Sequence, residues 1–260
     1  MSYVRFAAVL VMVSAAVAAA QSPPLAVAAA SDLQSVLPAL AARFEHDASS
    51  RVMLTFGSSG NFFAQIQNGA PFDLFLSADA DYPRRLEAAG LTEPGTLQPY
   101  AIGRLVLYAS TPSGLDLGLG LAVLTDARVR RIAIANPEHA PYGRAAVAAL
   151  RHERLYDRIR PKLVLGENVS QAAQFVQSGN AEAGLLALSL ALAPALRTSG
   201  TYVEVPASFY PSIEQAAVVM KASNRKDAAR RFLAFLARPE IVQVLKAAGF
   251  LPPPLAPGAR

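Results

Sequence analysis

The sequence predicts an α/β protein with two lobes, each a mostly parallel sheet flanked by helices, and a ligand site in the cleft between the lobes. Short apolar runs alternate with amphipathic segments, a pattern typical of parallel β-α units. The segment 174–187 (QFVQSGNAEAGLLA) has the same order of helix end, glycine, turn and apolar strand as 65–77 (QIQNGAPFDLFLS), which indicates two lobes of similar topology. Small or polar residues also follow several predicted strands, at the strand ends where open α/β sheets bind ligands.

Three β-α units are predicted at the start of the chain. Ser31 directly follows the first apolar run and is expected to be the N-cap of an amphipathic helix. Gly69 and Gly90 stand where a left-handed residue commonly ends a helix, after the second and third units. The predicted strands of these units are 25–30, 51–56 and 72–77, and the third helix is 80–89.

The middle of the chain predicts a second set of such units. Residues 92–101 are aperiodic and contain proline and glycine, so they predict a crossover, and the apolar run 102–109 predicts the first strand of the second lobe. Residues 202–211 contain two prolines and predict the return to the first lobe. The remaining predicted strands are 131–135, 162–166, 183–188 and 213–220, and the remaining helices are 144–155, 169–177, 226–237 and 239–248.

This order of elements predicts the division of the chain. We expect residues 21–100 and 210–260 to form lobe I and residues 101–209 to form lobe II. The tail, residues 252–260, contains four prolines and few residues to bury, so it is expected to be disordered.

The N-terminus and the composition predict an exported protein. Residues 1–20 have one cation, Arg5, then an apolar run that ends in three alanines, which is the anatomy of a cleaved signal peptide. The chain has no cysteine, which excludes disulfides, thiolate metal sites and a lipid-modified N-terminal cysteine. We therefore expect a periplasmic protein without a lipid anchor. Its formal net charge is only +5 and the charges are scattered, so no nucleic-acid partner is predicted.

Four strand-to-helix junctions have a small or polar residue where the helix begins. The first N–H groups of a helix have no partner within the helix, and the helix dipole places partial positive charge there. Two junctions fall in each predicted lobe, so the cleft could bind a dianion with neutral donors and without Arg or Lys. The junctions are Ala30-Ser31, Ser58-Ser59-Gly60, Pro141-Tyr142-Gly143 and Asn168-Val169-Ser170.

Several motifs resemble those of the molybdate-binding proteins of ABC transporters: AAASDL, TFGSSGNFFAQIQNGAPFDLFLSAD, IANPEHAPYG, ENVSQAAQFVQSGNAEAG and YPSIEQAAVV. The resemblance extends over essentially the whole chain after residue 20. It implies a two-lobed periplasmic binding protein of type II that captures molybdate or tungstate and delivers it to a membrane permease. No cofactor is implied, and we expect a monomer.

The resemblance also implies which residues bind the oxyanion. By position they are Ser31 and Ser59, which offer hydroxyl and backbone N–H groups, and Tyr142 and Val169, which offer backbone N–H groups. The metal would be held through its oxygens, with no direct bond to the protein. Some members add a tyrosine hydroxyl from a strand of the second lobe, where this chain has Ala187. We expect the phenol of Tyr142 to supply that donor instead.

Two alternatives stay open. The same fold could bind another tetrahedral oxyanion, namely sulfate, thiosulfate or phosphate. A pocket of donors alone should disfavour phosphate, which carries a proton near neutral pH, unless a carboxylate such as Glu138 or Glu167 lines it. The second alternative is an exported hydrolase with Ser59 as its nucleophile. Because no Gly-x-Ser-x-Gly motif and no pattern of His and Asp partners accompanies this serine, we predict a binding protein and not an enzyme.

Overall fold

The computed structural model describes residues 23–48 and 50–253. The predicted signal peptide, residues 1–20, lies outside these ranges, as do residues 254–260 of the tail predicted to be disordered. Within the described ranges, no helix is both long enough and apolar enough to cross a membrane.

The described residues form ten strands and ten α-helices. The strands are β1 (Leu25–Ala30), β2 (Val52–Gly57), β3 (Leu74–Ser77), β4 (Gln98–Gly103), β5 (Leu105–Ser110), β6 (Ile132–Ala135), β7 (Leu163–Gly166), β8 (Ala183–Ala187), β9 (Gly200–Glu204) and β10 (Ile213–Val219). The helices are α1 (Leu37–Ala48), α2 (Ser59–Gln67), α3 (Asp81–Ala88), α4 (Pro141–His152), α5 (Tyr156–Ile159), α6 (Val169–Gln177), α7 (Leu188–Ala191), α8 (Pro194–Arg197), α9 (Lys226–Leu236) and α10 (Pro239–Ala247).

The described strands form two five-stranded sheets with the same arrangement. The first sheet has the order β2-β1-β3-β10-β4, in which β1 is parallel to β2 and β3, whereas β10 is antiparallel to β3 and β4. The second has the order β7-β6-β8-β5-β9, in which β6 is parallel to β7 and β8, whereas β5 is antiparallel to β8 and β9. The predicted fold of two lobes with mostly parallel sheets is therefore confirmed. In each sheet, the strand that enters from the other lobe is antiparallel to its neighbours: β10 in the first sheet and β5 in the second.

The prediction of a single strand at 102–109 is wrong. Strand β4 ends at Gly103 in the first sheet and β5 begins at Leu105 in the second, so the chain changes lobe at Arg104. The apolar pattern does not reveal this change, because both strands are largely buried and differ only in their partners.

Strand β9 was not predicted, because most of its residues are at least partly exposed and it lacks an apolar run. The lobe boundaries near residues 100 and 210 stay a prediction.

Two helix starts also differ from the prediction. Ser31 opens a 3₁₀ turn, Ser31–Leu33, and is not the N-cap of a long helix, because α1 begins only at Leu37. Pro38, in the first turn of α1, has no N–H to donate to a preceding turn, so the helix cannot extend back to Ser31. Helix α4 begins at Pro141 rather than at residue 144, since proline fits the first position of a helix.

The core of lobe I positions the strand ends that form one wall of the cleft. The Phe44 ring of α1 meets those of Phe232 and Phe235 edge-on, with ring centroids 4.9 and 5.6 Å apart. Ile241 and Leu245 of α10 belong to the same buried cluster, which confirms the predicted packing of the last two helices. The carboxyl ends of β1, β2 and β3 are thereby held against the second lobe. The last residues of β1 and β2, Ala30 and Gly57, and Ala78, which follows β3, line a pocket there.

Candidate functional site

A small pocket with a cavity volume of about 10 Å³ lies between the lobes. It brings together the four residues predicted to bind a ligand, Ser31, Ser59, Tyr142 and Val169, and none of them is more than 3 % exposed. Two of these residues come from each lobe, so a molecule in the pocket would contact both. The other residues that line it are Ala30, Asp32, Gly57, Ser58, Ala78, Ala140, Pro141 and Asn168.

The start of α2 brings donors from the first lobe. Ser58 is the N-cap and Ser59 the first helical residue, so the Ser59 N–H has no acceptor within the helix. The Ser59 hydroxyl oxygen accepts a hydrogen bond from the Ala78 N–H at 2.9 Å, which fixes its position. Its own hydrogen has no acceptor among the described residues. Ser59 can therefore offer an anion two donors.

The start of α4 brings one backbone donor from the second lobe. Its first residue, Pro141, has no N–H, and Gly143 donates to the Ala140 carbonyl at 3.0 Å. The intervening N–H, that of Tyr142, has no acceptor among the described residues. Tyr142 thus carries the first available N–H of this helix.

The start of α6 brings the other backbone donor. The Asn168 side chain is the N-cap and accepts hydrogen bonds from the N–H groups of Ser170 and Gln171, at 3.0 and 3.1 Å. These bonds satisfy the second and third N–H groups of the helix but not the first, which belongs to Val169. An apolar residue can therefore bind an anion through its main chain.

Ser31 contributes as a single residue and not as the start of an α-helix. Its hydroxyl makes no hydrogen bond to another residue in the described ranges, and its carbonyl accepts the Gln34 N–H at 3.2 Å. A single 3₁₀ turn has too few aligned peptides to make a large dipole. The prediction of four helix N-termini is corrected to three, with Ser31 as an individual donor.

Asp32 is the pocket residue that the sequence analysis missed. Its side chain is fully buried, and Oδ2 accepts hydrogen bonds from the Tyr142 hydroxyl, at 3.0 Å, and from Nε2 of Gln215. The Tyr100 hydroxyl donates in turn to Oε1 of Gln215 at 2.7 Å. Oδ1 of Asp32 has no partner among the described residues. The prediction of a pocket lined by donors alone is therefore wrong.

The Asp32 carboxyl group removes the argument against phosphate. Burial raises its pKa to about 6, and hydrogen bonds from Gln215 and Tyr142 offset part of the rise. Most of the group is therefore ionised at neutral pH and can accept a hydrogen bond from a protonated ligand. Glu138 and Glu167, the carboxylates considered from the sequence, are not among the residues that line the pocket.

The Tyr142 hydroxyl does not have the role predicted for it. It donates its hydrogen to Asp32, so this hydrogen is not available to a ligand. Burial, followed by the charge of Asp32, raises the pKa of Tyr142 well above its usual range. Ala187 pairs with Leu105 in the second sheet and does not line the pocket. The idea that the phenol replaces a donor missing at Ala187 is therefore corrected: neither side chain supplies one.

Polar contacts cross the cleft beside the pocket. The Gly60 N–H and the Ser58 hydroxyl both donate to the His139 carbonyl, at 2.9 and 2.6 Å. At another point Arg144 of the second lobe forms a salt bridge with Asp79 of the first. These contacts hold the two lobes in a closed arrangement.

The geometry gives no support to a serine nucleophile. The His139 ring contacts Ser58, with 2.9 Å between Nδ1 and Oγ, and not Ser59. The Ser58 hydroxyl directs its hydrogen to a carbonyl, so it is not activated by a base. In the ranges that the structure describes, no three His, Asp or Glu side chains lie close enough to hold a metal ion.

Two similar lobes that close on a buried pocket define a solute-binding protein. The model of the family described as bacterial extracellular solute-binding protein matches residues 25–251 of the chain. The chain belongs to this family.

Within this family, the chain is similar to proteins named for molybdate. It is 40 % identical over 232 residues to the molybdate-binding protein ModA of Azotobacter vinelandii, and the matched region covers 89 % of this chain and 91 % of the relative. It is 37 % identical over 212 residues to ModA of Rhodobacter capsulatus, and the matched region covers 82 % of each chain. The solved structure of the A. vinelandii periplasmic molybdate-binding protein matches with a TM-score of 0.82 and 36 % identity, over 87 % of this chain and 98 % of that one. The resemblance seen in the motifs is confirmed, and the protein is a binding protein and not an enzyme.

Proposed function

We propose that the protein captures molybdate, and also tungstate, in the pocket between its lobes and delivers it to the membrane permease of an ABC transporter. The observation that carries this proposal is the set of unpartnered donors at one pocket. The N–H groups of Ser59, Tyr142 and Val169, and the hydroxyl hydrogens of Ser31 and Ser59, have no acceptor among the described residues. The relatives named for molybdate binding support the same ligand.

The position of the donors suggests how capture works. Because they come from both lobes, only a closed cleft can satisfy all four oxygens of a tetrahedral anion. The ligand then stabilises the closed form over an open one, and the permease can distinguish loaded from empty protein by shape.

Titration calorimetry with four anions tests the choice of ligand. We expect molybdate and tungstate to bind with similar affinity and sulfate to bind about tenfold to a hundredfold more weakly. The S–O bond is shorter than the Mo–O bond, so sulfate cannot reach every donor of both lobes at once, and each lost hydrogen bond to a charged ligand costs about 1.5–3 kcal/mol. If sulfate or phosphate binds more tightly than molybdate, the site keeps its role as an oxyanion pocket but the ligand proposed here is wrong.

The substitution Ser59→Ala tests the hydroxyl donor. We expect the affinity for molybdate to fall about tenfold to a hundredfold, because one hydrogen bond to a charged ligand is lost. The Ala78 N–H also loses its acceptor, which should lower the free energy of unfolding by about 1–3 kcal/mol.

Ser58→Ala is the matched control for this prediction. It removes a hydroxyl from the neighbouring residue, but that hydroxyl donates to the His139 carbonyl and not to the pocket. We expect it to weaken binding by less than about tenfold, through a less stable closed form. Equal affinities of Ser59→Ala and wild type would show that the Ser59 hydroxyl is not a ligand.

We also propose that the protein acts in the periplasm as a monomer without a lipid anchor, after removal of residues 1–20, and without a nucleic-acid partner. The signal-like N-terminus, the lack of cysteine and the scattered charges support this proposal. The relative from A. vinelandii whose structure has been solved is itself named as periplasmic.

A further inference from the structure

Asp32 is a buried acidic group in a pocket that is otherwise suited to an anion. It lines the pocket together with Ser31 and Ser59, and its side chain is fully buried. One of its two hydrogen-bond donors, Tyr142, comes from the opposite lobe, whereas the other, Gln215, comes from its own. Closure of the lobes therefore buries this carboxyl group next to the place where an oxyanion would be bound.

The groups that face Asp32 do not neutralise its charge. They are the Tyr142 hydroxyl from α4, the Gln215 amide from β10 and the Tyr100 hydroxyl from β4, and all of these are uncharged at neutral pH. Ser189 of α7 donates to the Asp32 carbonyl and not to its carboxyl group. Arg144, a cation at the cleft, is paired with Asp79 instead. An ionised carboxylate in such a place is costly, which is why its pKa rises.

A doubly charged ligand increases this cost. Two negative charges placed in the same water-poor pocket repel each other, and the repulsion is relieved when the carboxylate takes up a proton. The pKa of Asp32, already about 6 in the closed protein, should therefore rise further when the pocket is loaded. In an open cleft it should lie nearer its usual value, which increases the difference between empty and loaded protein.

We propose that Asp32 couples oxyanion binding to the uptake of one proton, so that the loaded, closed protein contains Asp32 as a neutral carboxylic acid. The proposal rests on the proposed function. The proton comes from solvent and is bound by a carboxyl oxygen, and no bond of the ligand changes. A neutral Asp32 also gains an O–H donor while Oδ2 keeps accepting from Tyr142 and Gln215. The charge of Asp32 would thus oppose loading at high pH.

His139 is the rival for this proton. Its ring contacts Ser58 at the edge of the pocket, and a histidine near a bound dianion could also become protonated. Any test must therefore separate the two residues.

Calorimetric titration with molybdate, in pairs of buffers that differ in ionisation enthalpy, measures the protons taken up. For the wild type between about pH 7 and pH 8 we expect an uptake approaching one proton per molybdate, and an affinity that falls by up to about tenfold per pH unit. The uptake should decrease only at lower pH, as Asp32 of the empty, open protein becomes protonated before the ligand binds.

Three variants identify the residue that takes up the proton. We expect Asp32→Asn to abolish the uptake and to make the affinity independent of pH, with binding at pH 8 at least as tight as in the wild type. Asp79→Asn, which removes a carboxylate that is already paired with Arg144, should keep the wild-type uptake, as should His139→Gln.

Several outcomes would overturn the proposal. Wild-type binding without proton uptake contradicts it directly, and uptake that persists in Asp32→Asn but disappears in His139→Gln assigns the proton to the histidine. If the wild type does not bind molybdate at all, the proposed function fails and this inference fails with it. The two failures are therefore distinguishable.

Discussion

Gly60→Ala should weaken molybdate binding by at least about a hundredfold without destabilising the empty protein. A Cβ atom at this position would lie 2.5 Å from the His139 carbonyl oxygen and 2.9 Å from the His139 Cα, across the cleft. Both are backbone atoms and cannot rotate away, so the lobes could not close fully. The ligand would lose the N–H groups of Tyr142 and Val169, each of which contributes about 1.5–3 kcal/mol as a bond to a charged group.

Two measurements separate a blocked cleft from a damaged fold. Gly60 is the second residue of α2, where alanine is the better helix former. The one close atom in the same lobe is the Tyr82 hydroxyl, 2.8 Å from the added Cβ, and it is the far end of a side chain that can shift, so the melting temperature of the empty protein should change little. Small-angle scattering should show compaction on addition of molybdate for the wild type but not for the variant.

Asn61→Ala is the matched control for Gly60→Ala. It removes the hydrogen bond from Asn61 to Glu167 across the cleft but adds no bulk. Because this pair is exposed, we expect less than about a tenfold loss of affinity. If Gly60→Ala binds molybdate within a few-fold of the wild type, the closed arrangement in the structure is not the binding form.

Val169→Pro should reduce the affinity for molybdate by at least about tenfold to a hundredfold. Proline has no N–H, so the substitution deletes the backbone donor, and its ring occupies the position of the missing hydrogen. One hydrogen bond to a charged ligand is thereby lost. The helix should persist, because Val169 is the first residue of α6 and the Asn168 N-cap before it is extended, with φ −151° and ψ 176°.

Val169→Ala is the control that separates the main chain from the side chain. It keeps the N–H and removes only methyl groups, so we expect binding close to that of the wild type, with a modest loss of thermal stability. Circular dichroism of both variants checks that α6 is intact. Equal affinities of Val169→Pro and Val169→Ala would show that the Val169 N–H is not a ligand.

The sequence by itself determined the features of this protein that depend on neighbouring residues. Gly69 and Gly90 end helices with φ values of +86° and +70°, as their positions after amphipathic segments predict. Helix α6 has the predicted bounds, so the first N–H of that helix could be assigned to Val169 before its surroundings were known. The four residues that the motifs predict as ligands line one pocket, and their role in binding stays a prediction.

Only the tertiary structure decided the features that depend on contacts between distant residues. Asp32 is hydrogen-bonded to Tyr142 and Gln215, which lie 110 and 183 positions away in the sequence. A local sequence pattern cannot predict contacts over such distances. The same contacts direct the Tyr142 hydroxyl away from the ligand. The ionisation of a carboxyl group depends on its burial and its charged neighbours, which are set by the packing of both lobes. For this reason the sequence indicated the donors of the site, whereas the acidic group among them emerged only from the fold.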